Sequence, residues 1–141
     1  IIMNKIQVFS MVVMLFSFTH AWAGGAPGKV LGATSTDSWL AYKLSSQDAF
    51  IFVDLRSLEE YNEGHVPGAK HLDYNDLTEQ SLAAIVNKKN GHVVFYCSGV
   101  NSELAGWASQ KALDWGWQNG FVFYYRTGIN EWVQSGLSLE R

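Results

Sequence analysis

The stretch His92-Val93-Val94-Phe95-Tyr96-Cys97-Ser98-Gly99-Val100-Asn101-Ser102-Glu103 decides the fold. Val93 to Tyr96 is a continuous apolar run, the pattern of a strand buried on both faces rather than on one. It stops at Cys97, passes through a short polar loop and enters a helical pattern at Glu103. A thiol held between a strand end and a helix start receives partial positive charge from the loop amides and the helix N-terminus, which favours thiolate over thiol. Cys97 is the single cysteine of the chain. It therefore has no internal disulfide partner and is not half of a CxxC pair. The competing reading is a small core hydrophobe at the end of a buried strand.

Outward from this segment, strands and helices alternate. Upstream, Phe50-Ile51-Phe52-Val53 is a second buried strand that stops at Asp54. Before it, Thr36 or Asp37 caps a short helix with Trp39, Leu40 and Leu44 on one face. After it, Ser57 caps another short helix, with Glu60 at the capping-box position and Gly64 at its end. Pro67-Gly68 makes a turn, Ala69 to Leu72 is extended, and Leu77 to Val86 is helical with Leu77, Leu82, Ile85 and Val86 available for burial. Downstream, Glu103 to Trp115 is a helix with Leu104, Ala105, Ala108, Ala112 and Leu113 inward. Phe121 to Tyr125 is a strand and Ile129 to Gln134 a last helix. This order predicts an α/β fold with a parallel sheet and helices on both faces. Sites in such sheets lie at the carboxyl ends of the strands. Asp54, Cys97 and Arg126 each follow a strand, so a carboxylate, a thiol and a guanidinium are expected on one rim.

The N-terminal residues read as an export signal. Lys5 is the positive start, Ile6 to Phe18 is apolar apart from Gln7, Ser10 and Ser17, and Ala21-Trp22-Ala23 is a small-x-small cleavage site. The natural start is placed at Met3. Residues 1–23 are thus expected to be a signal peptide cleaved after Ala23, residues 24–33 a flexible mature N-terminus, and 34–141 one domain. An uncleaved anchor is the rival, but the apolar stretch is short of the about 20 residues that span a bilayer. The expected location is the periplasm, with no stable membrane anchor. The net charge of −3 with no basic stripe argues against a nucleic-acid partner. His71 and His92 show no ligand spacing with other Cys, His or acidic residues, so no metal or other cofactor is expected. Trp115 and Trp117, with Phe121, Phe123, Tyr124 and Tyr125, are either core packing or an aromatic platform for a partner.

Val53 to Leu72 resembles a known family signature of the form D-x-R-x-x-x-E-[aromatic]-x-x-G-H-[aliphatic]-x-G-A. Asp54, Arg56, Glu60, Tyr61, Gly64, His65, Val66, Gly68 and Ala69 match it without a gap. The Cys97 loop and Arg126-Thr127-Gly128-Ile129-Asn130-Glu131-Trp132 resemble the later landmarks, although many relatives have Gly-Gly at Thr127-Gly128. The family is the single-domain rhodanese-like sulfurtransferases, and the resemblance covers roughly residues 30 to 139.

The resemblance implies a rhodanese-like parallel sheet and sulfur transfer. The Cys97 thiolate would take the outer sulfur of a donor such as thiosulfate and pass it to cyanide or a thiol. Ser98, Gly99, Val100, Asn101, Ser102 and Glu103 would cradle the anion through their backbone N–H groups, with Arg126 as a substrate contact. Asp54, Arg56, Glu60 and His65 would be structural, fixing the strand-to-helix turn near the site. Relatives commonly carry glycine at the fourth loop position and a cation further on. Here glycine is third, Val100 is fourth and the loop has no cation, a gap that Arg126 or Lys70 would have to fill from a neighbouring loop. That departure motivates a second reading, a catalytically weak module that binds a periplasmic protein partner or a small anion. Phosphatases of this fold use C-x5-R; Glu103 at that position has the wrong charge, which argues against phosphatase or arsenate reductase chemistry.

Overall fold

Alternation in three strands divides the molecule into two cores. Val93 and Phe95 face one side of the sheet, where they pack with Val53, Val122 and Tyr124 against Leu82 and the small residues Ala105, Ala108 and Ala112. Val94 and Tyr96 face the other side, with Phe52 and Tyr125, against Ala41, Leu44, Ile129 and Trp132. Two buried faces explain why these strands read as unbroken apolar runs.

The computed structural model describes residues 28–141. The expected signal peptide at 1–23 lies outside the described residues. The elements in chain order are β1 (Thr34–Thr36), α1 (Ser38–Ser45), β2 (Phe50–Asp54), α2 (Leu58–Glu63), β3 (Lys70–His71), a 3-10 turn (Tyr74–Asp76), α3 (Glu79–Ile85), β4 (His92–Tyr96), α4 (Leu104–Asp114), β5 (Val122–Tyr125) and α5 (Gly128–Gln134). The sheet order is β1-β5-β4-β2-β3, and every pairing is parallel. The expected α/β architecture is thus observed, with the cysteine strand β4 at its centre. Among the described residues no helix is long and apolar enough to cross a membrane.

Several elements differ from the sequence reading. The helix expected from Leu77 begins at Glu79, because Thr78 accepts from the Ser81 amide while Ser81 Oγ accepts from the Thr78 amide. Leu77 is still buried, but as the residue that ends the 3-10 turn. Trp39 is 63% exposed and lies under Lys43, while Ala41 and Leu44 form the buried face of α1. β1 went unread because Thr34-Ser35-Thr36 has no apolar pattern; only its pairing with Phe123, Tyr124 and Tyr125 makes it a strand. Trp117, Tyr124 and Tyr125 are core residues.

The carboxyl end of β2 is tied by a buried polar knot. The Asp54 carboxylate is fully buried and lies 2.6 Å from Arg56 Nη2. It accepts from Arg56 Nε at 2.9 Å, from the Arg56 amide at 3.0 Å and from the Tyr96 hydroxyl at 2.7 Å. The Tyr96 oxygen in turn accepts from the Val66 amide, and Arg56 Nη2 donates to the Gly64 carbonyl. Burial, and then the adjacent Asp54 charge, push the Tyr96 phenol well above its ordinary range. Burial opposes the Arg56 charge, but its hydrogen bond to Asp54 and the carboxylate's charge hold its pKa above the usual value.

A second contact fixes the loop after β4. The amides of Ile129 and Asn130 donate to the carbonyls of Cys97 and Ser98 at 3.0 and 2.9 Å. Gly128 makes this approach with φ +59, and a Cβ there would lie 2.3 Å from the Cys97 carbonyl oxygen. Glycine is required on both counts.

Three outcomes are expected. Asp54→Asn leaves the Arg56 charge buried without its partner and lowers unfolding free energy by about 3–5 kcal/mol in denaturant titration. Gly128→Ala displaces the Cys97 loop, which is read as a lower melting temperature together with faster reaction of Cys97 with a bulky thiol reagent. The raised Tyr96 pKa gives the third. The folded state keeps this proton while the unfolded chain releases it above pH 10.0. Stability is therefore constant on this account below that pH and falls above it, by up to about 1.4 kcal/mol per pH unit. Tyr96→Phe, compared with the parent between pH 9 and 11.5, is expected to show a shallower alkaline decline from a lower starting stability.

Candidate functional site around Cys97

Cys97 follows the last residue of the central strand and is 6% exposed. The chain then turns sharply, with the Ser102 amide donating to the Gly99 carbonyl at 2.9 Å. Ser102 Oγ accepts from the Leu104 amide at 3.4 Å, which caps the first turn of α4. Glu103 takes the N-cap position without a side-chain cap bond. Of the expected anion cradle, Ser102 therefore has its amide committed within the loop. The amides of Gly99, Val100 and Asn101 take no part in these bonds, and Val100 and Asn101 are exposed. The eleven-residue α4 directs its N-terminus at this loop, so its orphan amides add positive potential there.

The loop separates two pockets. One, of about 380 Å3, holds Cys97 with Ser98, Ser102 and Leu104 on the loop side. Its other wall comes from Arg56, Ser57 and Glu60 at the start of α2 and from Asp73, Tyr74 and Asn75 around the 3-10 turn. The second, of about 400 Å3, lies between Ser98–Asn101 and Thr127, Asn130, Glu131 and Gln134 of the α5 region. Thr127 Oγ1 donates to Glu131 on that side.

The residues singled out in the sequence are placed as follows. Arg56 and Glu60 share the Cys97 pocket, while Asp54 lies buried behind Arg56. Glu60 completes the capping box with Ser57. His65 stacks on Tyr61 at 3.8 Å and donates from Nδ1 to the Tyr61 carbonyl; its backbone pairs with Glu140. It does not line the Cys97 pocket. Arg126 lines neither pocket. Lys70 is exposed on β3 and lines neither. His71 donates to the Arg56 carbonyl, and His92 is stacked between Phe50 and Phe121. Among the described residues no group of three His, Cys, Asp or Glu side chains is placed to hold a metal.

Sequence reasoning missed the wall formed by Asp73, Tyr74 and Asn75. A signal was present. Asp73 followed two residues later by an amide it can accept is an Asx turn, and Asp73 Oδ1 does accept from the Asn75 amide at 2.9 Å. What no local pattern conveys is that this turn lies across from Cys97. Tyr74 is held there from α4: Lys111 Nζ lies 4.4 Å from its ring centroid and Trp107 packs at 6.2 Å.

Chemically, the arrangement presents one thiol in a small, partly enclosed pocket, with a helix N-terminus and a tight turn beside it. The chain is similar to several known proteins. A transcriptional regulator of the HTH type from Mycobacterium tuberculosis is 29% identical over 136 residues, covering 95% of this chain and 58% of that one. A tRNA sulfurtransferase from Thermoplasma volcanium is 38% identical over 68 residues, covering 48% of this chain and 13% of that one. The chain thus spans only part of these relatives, which are named for different activities. A solved protein from Bacillus halodurans superposes with a TM-score of 0.67 at 25% identity, covering 77% of each chain. The family model described as a rhodanese-like domain matches residues 36–135. With that match spanning β5, the Cys97 loop and the Asp54 knot alike, the chain belongs to the rhodanese-like domain family.

Proposed function

We propose that this protein is an exported sulfurtransferase that moves a sulfane sulfur from a donor such as thiosulfate to a thiol or cyanide through a persulfide on Cys97. One observation carries the reading: the sole thiol of the chain stands at the carboxyl end of the central strand, in a pocket of about 380 Å3 closed by the loop that follows it. In the first step the Cys97 thiolate attacks the outer sulfur of the donor. The sulfur–sulfur bond breaks, its electron pair leaves with sulfite, and Cys97 carries the transferred sulfur. In the second step the acceptor attacks that sulfur and the Cys97 thiolate is restored. Both steps need stabilised negative charge near the sulfur, which the free loop amides and the N-terminus of α4 are suited to supply. Neither step needs a redox cofactor or a metal. The similarity to a relative named tRNA sulfurtransferase supports transfer chemistry in general terms.

The cation-free loop supports a second reading, a weakly catalytic module that binds a periplasmic partner or a small anion. Export is part of the proposal and rests on the pattern of residues 1–23.

Incubation with excess thiosulfate followed by intact mass measurement separates these readings. The expected result is a gain of one sulfur atom on the parent, reversed by cyanide, and no gain on Cys97→Ser. A folded, reduced parent that gains nothing removes thiosulfate as the donor and favours the binding reading, and a Cys97→Ser variant that still turns over overturns the Cys97 mechanism. Export is checked by expressing the full chain and sequencing the N-terminus recovered from the periplasmic fraction, which is expected to begin at Gly24.

A further inference from the structure

We propose that the Cys97 pocket selects its sulfur donor by charge, favouring persulfides of small uncharged or amine-bearing thiols over dianions such as thiosulfate. The inference rests on the sulfur-transfer reading and names its substrate class. The charged side chains lining the pocket are Arg56, Glu60 and Asp73. Arg56 brings no net positive charge, because both Nε and Nη2 are bonded to the buried Asp54 carboxylate. Glu60 Oε2 accepts from the Ser57 amide and hydroxyl, and Asp73 Oδ1 from the Asn75 amide and side chain. These neutral donors fix the two carboxylates in place, and the Arg56 guanidinium that also attracts Glu60 is already paired with Asp54. No residue from Ser98 to Glu103 is cationic. Against Glu60 and Asp73 stands Lys111 over the Tyr74 ring, one cation for two carboxylates among the side chains of this wall.

The transfer balances without a further reactant. The Cys97 thiolate attacks the outer sulfur of R–S–SH, the sulfur–sulfur bond breaks, and R–S⁻ leaves with its electron pair. Cys97–S–SH remains. A carrier group R with an ammonium is drawn toward Glu60 and Asp73, whereas the negative charges of thiosulfate are repelled by them.

The test uses three methanethiosulfonate reagents with the same reacting sulfur and an ammonium, a neutral or a sulfonate tail. Their rates with Cys97 in the intact protein are each divided by the rate with free 2-mercaptoethanol. The normalised ammonium rate is expected to exceed the sulfonate rate by about tenfold at low salt, the size set by one or two charges several ångströms away. The ratio is expected to shrink as salt is added. Glu60→Gln and Asp73→Asn each keep an acceptor oxygen for the local turn, and each is expected to bring the ratio closer to one. A ratio at or below one, or a ratio unmoved by both variants, overturns the proposal. The reading beneath it is tested separately by mass measurement with cysteamine persulfide and with thiosulfate. Failure to gain sulfur from either donor removes the sulfurtransferase reading even where the charge ratio holds, and faster loading by thiosulfate overturns the selectivity.

Discussion

The buried Asp54 carboxylate is the constraint on which the arrangement around Cys97 depends. It stands at the end of β2, beside Tyr96 at the end of β4. An unpaired carboxylate in that position would be heavily penalised. It is made tolerable by Arg56 on its own turn and by the Tyr96 hydroxyl on the neighbouring strand. Satisfying one charge therefore fixes the strand ends, the β2–α2 turn and, through the Tyr96 oxygen and Val66, the chain that leads to β3. Tyr96 immediately precedes Cys97, so the thiol inherits its position from this network.

The loop after Cys97 is held from its other side by backbone alone. Its carbonyls are engaged by the amides that open α5, and Gly128 is the residue that lets the two segments approach. The result is a turn whose carbonyls face α5 while several of its amides stay out of internal bonding. This division of labour anchors the loop through its carbonyls and leaves amides able to receive negative charge.

The electrostatics of the pocket depart from what a family signature alone implies. The resemblance implies a cation further along the loop, but here the loop is uncharged up to Glu103. The structure adds two carboxylates from separate segments, Glu60 and Asp73, and neutralises the one guanidinium internally. The charge lining the pocket is thus a property of how three segments meet, whereas the placement of the thiol belongs to the β4–α4 junction.

Much of this was legible locally. The apolar runs at Phe50–Val53 and Val93–Tyr96 are long enough to read as doubly buried strands, and the Ser57–Glu60 capping box is written in two residues. Polar β1 could not be read, since hydrogen bonds to β5 alone make Thr34–Thr36 a strand. Trp39 misled because a helical pattern places a side chain on a face without saying whether another element covers it. The sequence by itself determined the alternation of strands and helices, and hence a parallel sheet with its thiol at a strand end, because burial on two faces and capping act over a few residues. Only the tertiary structure decided that Asp73 and Tyr74 share a pocket with Cys97, that Arg126 does not line it and that Arg56 is spent on Asp54. Those facts depend on which turns meet in space, and no periodicity along the chain encodes a meeting of segments dozens of residues apart.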